Sequence, residues 1–212
     1  MYMKTVILVI ASINTPLYIH YINTYWTKII NYTNLYKPDI DIFLLFNGDI
    51  NIYYLKNIKN NVIIDNNITS YQPGILLKTL YAFDKLQNKY DIFFRTNLSS
   101  IINFRLLELY LKSNKIIYSG GIVWENLLRH QISIHNSFKN TLHKLDSYKS
   151  NTFISGSGFL LNKNEVKYIL KNKNRIIYDL PDDVSIGLMM DNYKIIDNFT
   201  TIVSSNTKLD DK

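Results

Sequence analysis

Apolar runs rich in β-branched and aromatic residues recur at residues 4–10, 41–46, 61–65, 91–95, 115–118, 153–161 and 193–198. Most are apolar at consecutive positions, as strands buried on both faces require. Between them the apolar spacing lengthens to three or four, predicting helices over 17–31, 74–86, 103–112, 164–171 and 181–190. In the second of these, Leu76, Leu80 and Phe83 form one stripe behind the opening Pro73-Gly74. The order is β-α-β-β-α-β-α-β, an irregular insert over 122–151, then β-α-α-β. That order predicts an α/β domain whose mostly parallel sheet carries helices on both faces. No repeat or linker divides residues 1–212, so one domain is expected. Ligands of such sheets gather beyond the carboxyl ends of the strands, which singles out Ser12, Asn14, Asn97, Ser99 and Gly120. Gly156 and Gly158 interrupt the run at 153–161 and predict a close approach of backbone or ligand there.

Composition narrows the classes. At 47% hydrophobic and 19% charged residues, the chain is apolar enough to fold and too apolar for disorder. Heavy use of Ile, Asn, Lys and Tyr is the bias of an A/T-rich, viral-like coding sequence, so a single Lys or Asn carries little weight. The net charge of +7 is spread without a run of five or six cations. Solvated helix faces account for it, and no nucleic-acid partner is expected. With no cysteine, disulfides and thiolate metal sites are excluded. No apolar run approaches the ~18 residues of a membrane span, and the first run is too short for a signal-peptide core. A cytoplasmic location is the expectation.

The common phosphate and nucleophile motifs are missing. No G-x-G-x-x-G follows the first strand, no G-x-x-x-x-G-K-[ST] occurs, and Ser155-Gly156-Ser157-Gly158 is not a G-x-S-x-G elbow. His20 falls in the first helix and His130, His135 and His143 in the insert, without metal-site spacing. The densest polar cluster is Leu180-Pro181-Asp182-Asp183-Val184-Ser185-Ile186-Gly187, two adjacent acids opening a helix. Two readings are open: both acids serve the free amides and dipole of the helix start, or one caps while the other is a base aimed into a pocket.

The segment 180–187 resembles the Leu-Pro-Asp-Asp-x-x-x-Gly stretch of fringe-type glycosyltransferases, and the Glu-Asp-Val-x-x-Gly of the wider β-1,3-glycosyltransferase superfamily. Residues 153–161 are similar to that family's Gly-x-Gly strand, and Tyr118-Ser119-Gly120-Gly121 to its Tyr-x-Gly strand end. Residues 90–99 occupy the place of the strand that delivers its Asp-x-Asp metal motif. These blocks keep the family's order over about residues 78–190. The resemblance implies a GT-A fold, nucleotide-binding over about 1–100 and acceptor-binding over about 101–205. It implies a nucleotide-sugar donor, most often a UDP-sugar, and a glycan or glycoprotein acceptor. Asp183 would then be the general base of an inverting transfer, with Asp182 capping or orienting. Ser12 and Asn14 would edge the nucleoside pocket, and Gly156, Ser157 and Gly158 would leave room for the sugars. A retaining transferase of the same fold and a non-catalytic sugar- or nucleotide-binding domain are the alternatives.

The departure from the family lies at Asn97-Leu98-Ser99, where the Asp-x-Asp position holds no carboxylate. Neutral oxygens are poor ligands for a hard divalent ion, so the expectation is no required cofactor, or weakly bound Mn²⁺ or Mg²⁺. A metal-free site must meet the departing diphosphate with fixed cations. Arg95, on the strand face of Asn97, is one candidate, with a salt bridge to Asp91 or to a helix acid as its structural alternative; Lys208 in the polar tail is another. Trp124, at the start of the insert, is either an acceptor platform or a packing residue.

Overall fold

Strand β1 (Thr5–Ile10) is buried along its whole length, as its unbroken apolar sequence demands. Alternate side chains serve different cores. Ile7 and Val9 join one apolar cluster, whereas Val6, Leu8 and Ile10 join a second. The computed structural model of the chain describes residues 3–48, 52–66, 73–113, 115–124, 152–196 and 199–202. Within them β1 lies between β2 (Ile40–Asn47) and β4 (Ile92–Asn97), parallel to both, and β2 pairs in parallel with β3 (Val62–Asp65). Beyond β4 comes the antiparallel β9 (Gly158–Asn162), then β6 (Ser119–Gly120) and β10 (Lys194–Ile195). The seven-stranded order is β10-β6-β9-β4-β1-β2-β3.

Helices cover both faces. The first run comprises α1 (Pro16–Tyr21), a π-helical turn (Ile22–Trp26) and α2 (Thr27–Tyr36). It places Tyr21, Ile22, Trp26 and Ile30 on the core that holds Ile7 and Val9. Thr15 caps its start, its hydroxyl accepting from the Tyr18 amide at 3.2 Å. The other face carries α3 (Gly74–Leu86) and α5 (Lys163–Lys171), which contribute Leu76, Leu80, Phe83, Val166 and Ile169. It also carries α6 (Asp182–Leu188), which contributes Ile186. Helix α4 (Phe104–Ser113) adds Leu107 to the first core. The mixed α/β architecture is the predicted one.

Four local expectations need correction. The first helical run continues to Tyr36, because Thr33 is still buried against the sheet. Residues 115–118 do not pair as a strand; only Ser119 and Gly120 enter the ladder. The run at 153–161 breaks into β8 (Phe153–Ile154), which pairs with β7 (Val123–Trp124), and β9, separated by a turn at 155–157. Two short strands went unpredicted: β5 (Ser100–Ile102) and β11 (Thr200–Ile202) pair antiparallel, a contact between distant segments.

The topology sets where a site can form. The carboxyl ends of β1, β2 and β4 share one edge. Because β9 runs the other way, its first residue arrives at that same edge, with Gly158 opposite Thr96. The turn at 155–157 therefore stands beside the tip of β4.

Candidate active site

At this edge the chain leaves a cavity of about 230 Å³ lined by Ser12, Asn14, Asn97 and Ser99, together with Tyr18, Asn47 and Lys78. The first four were predicted from strand ends; the other three were not. Ser12 shapes the loop after β1 by accepting the Asn14 amide at 3.1 Å. Lys78 comes from the first half of α3 and is 5% exposed. Its ammonium donates to the Ala11 carbonyl at 3.0 Å. Burial first, and then the nearby Arg95 guanidinium, lower its pKa to about 8 against an opposing pull from Asp182.

Beside the cavity stands a closed polar knot. Arg95 is 2% exposed and Asp182 3%. Arg95 Nη2 donates to Asp182 Oδ1 at 2.7 Å and Nε to Oδ2 at 2.8 Å, a bidentate pair. The Thr79 hydroxyl reaches Oδ2 at 3.1 Å. Arg95 Nη1 donates to Asn97 Oδ1 at 2.8 Å and also to the Gly156 carbonyl. Four of the five N–H groups of Arg95 are thereby engaged. Arg95 is not a free cation facing a diphosphate; its partner is the helix acid Asp182. Asp182 in turn orients Arg95 and does not cap a helix.

Asp183 has a different setting. Its Oδ2 accepts the Gly156 amide at 2.7 Å and its Oδ1 the Val184 amide at 2.9 Å. The side chain is half-buried, unlike that of Asp182. Burial, and next the adjacent Asp182 charge, raise its pKa above the usual carboxylate range, opposed by Arg95 and the two amides. Hydrogen bonds run from Asp183 through Gly156 and Arg95 to Asn97. The paired acids and the polar tip of β4 thus share one network, although the acids do not line the cavity.

The glycine turn serves the protein more than a ligand. A Cβ at Gly156 would collide with the Arg95 guanidinium and stand 3.1 Å from Asp183 Oδ2. One at Gly158 would stand 2.7 Å from Thr200 Cγ2. Ser157 is buried and its carbonyl accepts from the Thr96 hydroxyl at 2.6 Å. The Cβ positions of Gly156 and Gly158 are thus taken up by Arg95, Asp183, Phe94 and Thr200. Gly120 is likewise packed against Ile154 and does not line the cavity. Trp124 is 37% exposed on β7. Lys208 and the insert histidines lie outside the described residues, and His20 is exposed on α1.

The described residues at the Asp-x-Asp position do not suit a divalent ion. Asn97 already gives its amide oxygen to a guanidinium, an ammonium lines the same cavity, and among the described residues the cavity lining contains no carboxylate. An ion there would meet cations and neutral oxygens. Among the described residues no group of three or more His, Asp or Glu could hold a metal.

No protein-family model matches the chain, and no curated protein does. Solved structures do. Mouse xyloside xylosyltransferase 1, in its apo form, superposes with a TM-score of 0.52 over 92% of this chain and 85% of that one, at 10% identity. This is the GT-A fold. Two further structures give lower TM-scores: HddC from Yersinia pseudotuberculosis (0.48, 12% identity, 95% of this chain and 93% of that one); and glucosyl-3-phosphoglycerate synthase from Mycobacterium tuberculosis with Mn²⁺, UDP-glucose and glycerol 3-phosphate (0.47, 11% identity, 95% and 73%). At such identities the likeness extends to the GT-A architecture and no further. No described helix of this GT-A domain is long and apolar enough to cross a membrane.

Proposed function

We propose that this GT-A domain is a glycosyltransferase that moves a sugar from a nucleotide-sugar donor, a UDP-sugar by the fringe-type motif order, onto an acceptor hydroxyl with inversion. The observation that carries the reading is the Asp183 carboxylate. It is half-buried, fixed by two backbone amides, and joined by hydrogen bonds to the tip of β4 at a cavity rimmed by polar strand ends. Ser12 and Asn14 edge the nucleoside, and Asn97 and Ser99 face the diphosphate. Asp183 takes the proton of the acceptor hydroxyl as that oxygen bonds to the anomeric carbon. The bond from that carbon to the diphosphate oxygen breaks on the opposite side, and the nucleoside diphosphate leaves with the electron pair. Trp124, exposed beside β8, offers an indole face to an acceptor sugar. The transfer requires no divalent ion.

The test is a panel of UDP-, GDP- and dTDP-sugars assayed with Mn²⁺ and then with chelator. Asp183→Asn should lower kcat by about 10²- to 10⁴-fold while UDP binding is kept, the usual range for a removed general base. Because the Asp183 carboxyl is raised, the parent's kcat/KM should rise with pH along an acid limb displaced upward from that of an ordinary carboxylate. Full activity in Asp183→Asn would remove the base. A product of retained configuration would assign the retaining mechanism, and UDP binding without turnover by the parent would make this a binding domain.

A further inference from the structure

A buried ammonium with no carboxylate of its own is unusual, because an uncompensated charge away from water is strongly disfavoured. Among the described residues, Lys78 is in that position. Its one protein hydrogen bond among the described residues goes to the neutral Ala11 carbonyl. Among the described residues, the charged groups that face it are Arg95 from β4 and Asp182 from α6. Those two are consumed by each other in a bidentate pair. Asp182 therefore offers Lys78 little net compensation. Of the described residues lining the cavity, Lys78 alone is charged; the polar remainder is Ser12, Asn14, Tyr18, Asn47, Asn97 and Ser99. As the described residues build it, the cavity is a small polar chamber with a single positive charge in its wall, and the complementary ligand is an anion.

We infer that Lys78 is the group that holds the diphosphate of a nucleoside diphosphate in this cavity, at the place where the described residues do not suit a divalent ion. This rests on the nucleotide-sugar reading above only for the identity of the anion. An ammonium on a helix that also packs the core is held without reorganisation. It can meet the two phosphates and stabilise the charge that grows on the leaving oxygen. A guanidinium at residue 95 cannot substitute, since it is committed to Asp182, Asn97 and Gly156. Lys78 also has two N–H groups beyond the one given to Ala11. The site is electrostatically incomplete until the anion arrives.

The experiment is calorimetric titration of the parent, Lys78→Met and Lys78→Arg with UDP and with uridine, in chelator at pH 7. Lys78→Met should weaken UDP about tenfold to hundredfold, the range for a lost charge-assisted contact, and leave uridine unchanged. Lys78→Arg should retain most of the UDP affinity. Raising the pH to 9.5, through the ammonium's value of about 8, should weaken UDP for the parent and not for Lys78→Arg. Equal UDP affinity in the parent and a folded Lys78→Met overturns the inference, as does an equal loss of uridine and UDP, which would mark a structural role only. The two readings fail separately. Lys78-dependent UDP binding without sugar turnover refutes the transfer and leaves the anion site, whereas undiminished turnover in Lys78→Met refutes the anion site and leaves the transfer.

Discussion

Two buried cations lie close together at the carboxyl edge of this sheet, and they are solved in opposite ways. Arg95 is matched by Asp182 with a planar fork on both carboxylate oxygens, and the remaining donors of that fork are met by Asn97 and Gly156. Lys78 has, among the described residues, one carbonyl and a cavity. Both are at least 95% removed from solvent, with 2% and 5% exposure. The first charge is architecture: it ties β4, the glycine turn and α6 together, and so fixes Asp183. The second is left over, and a leftover charge beside a polar chamber is a binding determinant. Which cation a residue becomes depends on its partner and not on its chemistry.

Breaking the matched pair should have the largest effect on the folded state. Arg95→Met leaves the Asp182 carboxylate buried and unpaired, and should cost about 3 to 5 kcal/mol in urea denaturation. The double variant Arg95→Met with Asp182→Leu should recover much of that loss, because no charge remains to be buried. A single variant within about 0.5 kcal/mol of the parent would mean that water reaches the pair. Gly156→Ala comes next. Its Cβ must push aside the Arg95 guanidinium and crowd Asp183 Oδ2, so a loss of about 1 to 3 kcal/mol is expected, with turnover falling alongside. Unchanged turnover in that variant would release Asp183 from dependence on the turn.

The part of this arrangement that was legible in the sequence is the part set locally. Residues 4–10, 41–46 and 91–95 read as buried strands because most of their positions are apolar in succession, and the strands formed there put Ser12, Asn14, Asn97 and Ser99 around one chamber. The Asn162 and Glu165 capping box that starts α5 is equally local, although it was not among the expectations for that helix. What stayed hidden depends on distance. Strands β5 and β11 are three residues each and pair across about a hundred positions, so neither carries a pattern of its own. Arg95 had three partners open to it, a ligand phosphate, Asp91 or a helix acid, and only the folded chain selects Asp182. Lys78 was masked by the abundance of lysine. A signal did exist: Ile75, Lys78, Ala82 and Leu86 share one helical face, and a charge on that stripe has to be buried.

The smallest effect discriminates most sharply between the two cations. In the folded protein Lys78 is lowered from 10.5 to about 8, so between those values the unfolded chain binds more protons and stability rises with pH. Below about pH 8 the burden of the buried ammonium is fully present, amounting to roughly 3 kcal/mol. Lys78→Met relieves that burden but strips the Ala11 carbonyl of its donor, which offsets on the order of 1 to 2 kcal/mol. The ligand-free variant should therefore be more stable than the parent by about 1 kcal/mol at pH 7, with the order reversed near pH 10. Saturating UDP should reverse it at pH 7 as well, since a ligand stabilises a protein according to its affinity for the folded state. A variant less stable than the parent at pH 7 without ligand would mean that the ammonium is already compensated in the free protein, and the contrast with Arg95 would disappear.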